Sequence, residues 1–230
     1  MIKIGLIGGI GPESTIKYYQ LIIKRFRELS NNKSYPEINI TSIDMTRMLK
    51  YISENNEEGY IRFMKERIDV LKKTEVEKIF ICSNTPHVFF DNLQNQVDVK
   101  LVSIVEETIN YIEELKLKKC GLIGTKFTMA RGFYSKKSET RNIHIVVPNK
   151  IEQDTIHDIY MNELVINSPN KKSKETIIKI IDRMINEEKI EGIILGGTEL
   201  SLILDQTDFD KIKVLDTCLI HVESIVKELI

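Results

Sequence analysis

The chain's 230 residues are enough for one large core or two smaller ones, and 42% hydrophobic with 29% charged residues is an ordinary globular composition. Its 33 Lys+Arg and 34 Asp+Glu nearly cancel, so it lacks the positive excess expected of a nucleic-acid binder, and the short cluster Lys171, Lys172, Lys174 reads as a solvated helix start. Three scattered cysteines (Cys82, Cys120, Cys218) and four histidines without ligand spacing argue against a disulfide framework and a metal site, and no apolar stretch approaches the roughly 18 residues of a membrane span.

Met1-Ile2-Lys3-Ile4-Gly5 enters an apolar strand pattern directly, with no leader pattern ahead of it, which sets the expectation of a cytoplasmic protein. From there short apolar runs alternate with longer amphipathic ones. The pattern predicts strands over residues 3–8, 38–43, 78–83, 99–102, 120–124, 143–147, 192–196 and 213–215. Between them it predicts helices over 12–29, 57–73, 86–94, 104–115, 128–137, 151–165, 173–187 and 217–229. Such alternation implies α/β architecture, with parallel sheets covered on both faces. Helix starts are marked by Gly11-Pro12-Glu13, by Thr85 before Pro86, and by Ser103 with Glu106, a capping-box spacing. Residues 31–34 and 167–170 read as polar turns.

An internal echo organises these elements. Ile4-Gly5-Leu6-Ile7-Gly8 returns as Cys120-Gly121-Leu122-Ile123-Gly124, and IFICSNT from Ile79 returns loosely as IILGGTE from Ile193. The separations agree, 75 residues from Ile4 to Ile79 and 73 from Cys120 to Ile193. The echo implies two pseudo-symmetric lobes, 1–98 with 212–230 and 99–211, each a parallel sheet flanked by helices, with an active-site cleft between them.

Four segments at strand ends could carry chemistry. Gly8-Gly9-Ile10-Gly11-Pro12-Glu13-Ser14-Thr15 could bring free backbone amides to an anion, or could simply be a tight strand-to-helix turn; it is not the dinucleotide fingerprint, since Ser14 stands where a third glycine belongs. In Cys82-Ser83-Asn84-Thr85-Pro86-His87, neighbouring strand residues point oppositely, so Ser83 facing a cleft puts Cys82 against a covering helix as a small core residue. Asn84 and Thr85 could cap the next helix or bind a carboxylate, and His87 could steady the helix start or act as an acid/base. Gly124-Thr125-Lys126-Phe127-Thr128 and Gly196-Gly197-Thr198-Glu199-Leu200 offer hydroxyls that either bind a ligand or start a helix.

Taken together, Gly8–Thr15, Ser83–His87, Gly124-Thr125 and Gly197-Thr198-Glu199-Leu200 resemble the aspartate/glutamate racemase family over nearly the whole chain. The resemblance implies a homodimer that needs no pyridoxal phosphate or other cofactor. It implies removal of the α-proton of aspartate or glutamate from one face and its return to the other, by one cysteine from each lobe. Those two positions fall here on Ser83 and Gly197, with Cys82 one residue early. The implied catalytic set is therefore Ser83, the Gly197 position, His87 and Cys82. The implied substrate-binding set is Gly9, Ile10, Gly11, Asn84, Thr85, Thr125, Thr128, Thr198 and Glu199, with no metal. A serine hydroxyl needs an adjacent base, and a glycine transfers no proton. Two alternatives follow on the same scaffold: a one-sided lyase or decarboxylase, and a non-catalytic amino-acid binder.

Overall fold

The computed structural model describes residues 2–30 and 34–230. The turn expected at 31–34 therefore lies, but for Ser34, outside the described residues. The chain forms two compact units, residues 1–104 with 221–230 and residues 105–220.

The first unit is built on four parallel strands, β1 (Ile4–Gly8), β2 (Ile38–Ser42), β3 (Lys78–Ile81) and β4 (Lys100–Val102), in the order β2-β1-β3-β4. β1 is buried along its whole length, as a central parallel strand covered on both faces must be. Helix α1 (Pro12–Leu29) buries Ser14, Tyr18, Ile22 and Phe26, one residue per turn at a four-residue spacing. A nine-residue helix that the periodicity did not predict, α2 (Met45–Ser53), starts on Asp44, whose side chain accepts from the Arg47 amide, and buries Met48 and Ile52. Helix α3 (Glu57–Lys72) adds Tyr60, Phe63, Met64, Ile68 and Leu71 to the core. After β3 the expected single helix is a 3-10 turn, Thr85–Phe89, running into α4 (Phe90–Gln94).

The second unit repeats this plan. Helix α5 (Ile104–Glu114) leads into β5 (Lys119–Gly124), and β6 (His144–Val146), β7 (Gly192–Gly196) and β8 (Lys213–Asp216) complete a parallel sheet ordered β6-β5-β7-β8. The echoed segments hold equivalent places: Gly5 pairs with Ile79 as Gly121 pairs with Ile193, and Leu6 with Phe80 as Leu122 with Ile194. The helix expected over 128–137 is broken into α6 (Lys126–Ala130) and α7 (Phe133–Glu139) at Gly132, whose φ of 69° ends the first and starts the second. Helices α8 (Lys150–Ile159) and α9 (Lys171–Arg183) each finish in a π turn, Tyr160–Leu164 and Met184–Glu188. Lys171 and its neighbours start α9 as expected, and Lys174 pairs with Asp208 at 2.7 Å. Helix α10 (Thr217–Leu229) carries the chain from the second unit back to the first.

The unit boundaries fall later than the sequence implied at both crossings. β4 stays with the first unit because it is hydrogen-bonded to β3, and β8 stays with the second because it is bonded to β7. A short apolar run in the sequence carries no signal of which sheet it joins.

Candidate functional site

In the first unit the glycine segment after β1 is a constructed turn. Gly9 has φ 85°, and a Cβ there would lie 2.6 Å from the Ile43 carbonyl oxygen and 2.7 Å from its nitrogen, so only glycine fits beside the end of β2. Its amide donates to Thr15 Oγ1 at 2.8 Å, and Ile43 N–H donates to the Gly8 carbonyl at 3.0 Å. The Ile10–Gly11 peptide is cis, and Gly11 stands at the N-cap of α1 without a side-chain cap. The Gly9 amide is therefore engaged inside the turn, and an anion at this helix start would have to use other groups.

After β3 the chain is held close to its own strand. Cys82 N–H donates to Ile7 O and Ser83 N–H to Ile81 O, each at 2.9 Å. The Cys82 thiol is buried, points toward the Phe80 carbonyl at 3.9 Å, and is pushed up by burial, so it stays protonated. Ser83, Asn84, Thr85 and His87 are all buried, an expensive arrangement for polar side chains in a small unit. Asn84, rather than Thr85, takes the N-cap position of the 3-10 turn and makes no side-chain cap bond, while Asn84 O accepts from His87 N–H at 2.9 Å. Tyr60 fixes the turn from outside by donating to Pro86 O at 2.6 Å. The His87 ring stacks on Phe90, centroids 4.7 Å apart and planes at 11°.

His221, which the sequence offered only as one of four histidines without a pattern, is fully buried in this unit. Tyr18 Oη lies 3.0 Å from its Nδ1 and Val102 O lies 3.3 Å from its Nε2. These contacts assign a neutral ring that accepts from Tyr18 and donates to Val102. Burial pushes its pKa down to about 3, and proximity to His87 adds to the fall.

In the second unit Thr125 caps α6. Its Oγ1 accepts from Thr128 N–H at 3.3 Å and lies 3.1 Å from Thr128 Oγ1, so the two threonines form one buried hydroxyl pair at the end of β5. At the end of β7, Gly196-Gly197 lead into Thr198 and Glu199, both buried. Thr198 Oγ1 donates to Glu199 Oε2 at 3.0 Å, and the Tyr160 hydroxyl donates to the same carboxylate oxygen. Leu200 N–H returns to Gly197 O at 3.0 Å, and a short 3-10 turn, Leu200–Leu202, follows. Burial pushes the Tyr160 phenol well up and the Glu199 carboxylate adds to the rise, with the Glu199 amide and the Thr198 hydroxyl opposing it. Tyr160 was not among the residues singled out from sequence, because it continues the apolar row Ile156, Tyr160, Leu164 and reads as core.

The structure thus gathers Ser83, Asn84, Thr85 and His87 at one strand end of the first unit, and Thr198 and Glu199 with Tyr160 at the equivalent strand end of the second. Thr125 and Thr128 lie at the end of the adjoining strand β5. The described residues include no group of three or more His, Cys, Asp or Glu side chains placed to hold a metal ion, and no helix among them is long and apolar enough to cross a membrane.

Two repeated units, each a four-stranded parallel sheet flanked by helices, match the α/β racemase fold. The sequence model of the Asp/Glu/hydantoin racemase family matches residues 7–225, and the chain belongs to the family. Among characterised proteins it is similar to the broad-specificity amino-acid racemase RacX of Bacillus subtilis, 27% identical over 218 residues, covering 88% of this chain and 87% of the relative. The crystal structure of an aspartate racemase homologue from Pyrococcus horikoshii superposes with a TM-score of 0.85 at 36% identity, covering 100% of this chain and 99% of that one. An inferred Asp/Glu racemase from Yersinia pestis gives 0.89 at 26% identity, covering 100% and 99%.

Proposed function

We propose that this protein interconverts the enantiomers of an acidic amino acid, aspartate or glutamate, by taking the α-proton from one face and returning a proton to the other without a cofactor. The observation that carries the reading is the paired set of buried polar strand ends. Ser83, Asn84, Thr85 and His87 after β3, and Thr198 and Glu199 after β7, occupy equivalent positions in the two repeats, where packing alone would favour apolar residues. Ligands of open parallel sheets bind beyond the carboxyl ends of the strands, which is where these residues stand.

In this reading Ser83 works on one face of the α-carbon with His87 as the base that activates it, since a serine hydroxyl by itself is too weak an acid and base at neutral pH. The hydroxyls of Thr85, Thr125, Thr128 and Thr198 and the Asn84 amide hold the substrate's carboxylates. The Cys82 thiol, protonated and turned to Phe80 O, takes no part. RacX is described as having broad specificity, so a substrate panel should include neutral amino acids. The protein is expected to work as a homodimer, which sedimentation equilibrium tests directly.

The decisive experiment follows loss of the α-proton of L- and D-aspartate and L- and D-glutamate into D₂O by NMR, together with formation of the opposite enantiomer. Exchange accompanied by inversion is the expected result. No exchange from either enantiomer of an amino acid shown to bind would overturn the reading.

A further inference from the structure

Inversion needs two proton-transferring groups, and Gly197 has no side chain to offer where the resemblance places the second. The space in front of Gly197 is nevertheless filled. A Cβ built on it finds Tyr160 atoms as its three nearest neighbours, with Cζ at 2.8 Å and the hydroxyl oxygen at 2.9 Å. A side chain at residue 197 and the Tyr160 phenol would compete for one volume, and in this chain the phenol holds it.

The surroundings of that phenol are unusual for a core tyrosine. It shares the Glu199 carboxylate with the Thr198 hydroxyl, and all three residues are at most 5% exposed. A buried carboxylate is costly even when paired, and apolar residues of similar volume would pack this corner as well or better. Tyr160 also opens the π turn Tyr160–Leu164, closed by Val165 N–H to Tyr160 O at 3.0 Å, an irregularity that recurs at functional sites.

We infer that Tyr160 is the second acid/base of the reaction, its hydroxyl standing where a side chain at residue 197 would act; the inference rests on the racemase reading above. In the protonating direction the phenol O–H bond breaks, the proton forms the new Cα–H bond of the planar carbanion, and a phenolate remains. The Glu199 amide stabilises that phenolate, and the Thr198 hydroxyl joins it by turning away from the Glu199 carboxylate. In the reverse direction the phenolate takes the α-proton of the opposite enantiomer and becomes the phenol again. Burial, and after it the adjoining carboxylate, keeps the resting group protonated and therefore a donor. Glu199 acts through Tyr160 and is a positioning residue.

The test is Tyr160→Phe in the full chain, with α-proton loss measured separately from L- and D-aspartate in D₂O. The expected result is wash-out from one enantiomer only, with inversion lowered at least about a hundredfold, the usual contribution of a positioned acid/base. Inversion at the wild-type rate overturns the assignment and leaves the racemase reading standing. Loss of exchange from both enantiomers by a variant that still binds aspartate also overturns it, because the group on the other face should survive. A wild-type protein that exchanges neither enantiomer overturns both. Should Tyr160→Phe not fold, Glu199→Gln keeps a hydrogen-bond partner for the phenol while removing the charge that raises it. The basic limb of the inversion rate must then move to lower pH, and an unmoved limb overturns the assignment.

Discussion

The contact between Gly197 and Tyr160 makes a stability prediction independent of any activity. Gly197 does not have a positive φ, so its backbone accepts alanine, and replacing glycine there should by itself stabilise by about 0.4–1 kcal/mol through the unfolded chain. The steric term opposes this. Carbon atoms in contact prefer roughly 3.5–4.0 Å, whereas the new Cβ would lie 2.8 Å from Tyr160 Cζ. Tyr160 cannot easily withdraw, since it is bonded to Glu199 and packed among Ile156, Leu164 and Leu200 in the second unit's core. Overpacking of this kind costs about 1–3 kcal/mol. The net expectation for Gly197→Ala is a loss of up to about 2.6 kcal/mol, read as a fall in Tm of up to several degrees for a chain of this size. The control is a double-mutant cycle in urea. In a Tyr160→Ala background the clash is gone, and Gly197→Ala should be neutral or stabilising. A coupling energy below about 0.5 kcal/mol, or stabilisation by Gly197→Ala in the parent, would refute the reasoning.

His221 ties stability to pH. Its folded pKa of about 3 lies below the unfolded value of about 6.5, so below pH 6.5 the unfolded chain binds a proton the folded one refuses. Stability contributed by the neutral ring is complete above pH 6.5 and falls by about 1.4 kcal/mol per unit as the pH drops toward 3; urea midpoints at pH 7 and 5 should show a loss of about 2 kcal/mol that His221→Gln largely removes. All three cysteines are buried, and Cys120 is pushed up to about 12 by burial, with the Glu191 carboxylate adding to the rise. Native protein at pH 8 should therefore take up no iodoacetamide by intact mass and lose no activity, whereas stoichiometric labelling with inactivation would point to a thiol mechanism. Gly197→Cys alone should be destabilised and no more active. Combined with Tyr160→Ala it gains room for the thiol, and any activity it shows should become sensitive to alkylation; insensitivity would mean that residue 197 does not face the substrate.

The repeated strand motif made the architecture legible, because Gly5 and Gly121 stand in identical registers against Ile79 and Ile193 in two sheets of the same strand order. The helix Met45–Ser53 was not legible, since two buried residues, Met48 and Ile52, make too short a period to separate from loop. Gly132 was visible as a residue, but only its left-handed φ shows that it divides two helices. At the candidate site, the segments around Ser83 and Thr198 could be read because glycine and polar residues interrupt apolar runs there. Tyr160 and His221 could not, since each sits in a helix at a spacing that any core residue would have. Their significance comes from what they meet across the fold, Tyr160 at Gly197 and Glu199, His221 at Tyr18 and Val102.

On the racemase reading, the two units bring different buried partners to the same proton transfer. In the first, the His221 imidazole is buried and neutral, the His87 ring is stacked on Phe90, and burial works against positive charge at His221. In the second, the Tyr160 phenol donates to the Glu199 carboxylate in a corner where burial works against a negative charge on the phenol. A thiol supplies its own moderately acidic proton, whereas a hydroxyl must borrow reactivity from its neighbours. On the racemase reading, with Ser83 and Gly197 at the two proton-transfer positions, activation has to come from neighbours: His87 in the same turn as Ser83, and Tyr160 with Glu199 against Gly197. If either neighbour proves dispensable to proton exchange, the hydroxyls have no source of activation, and the chain must use its retained scaffold for binding alone.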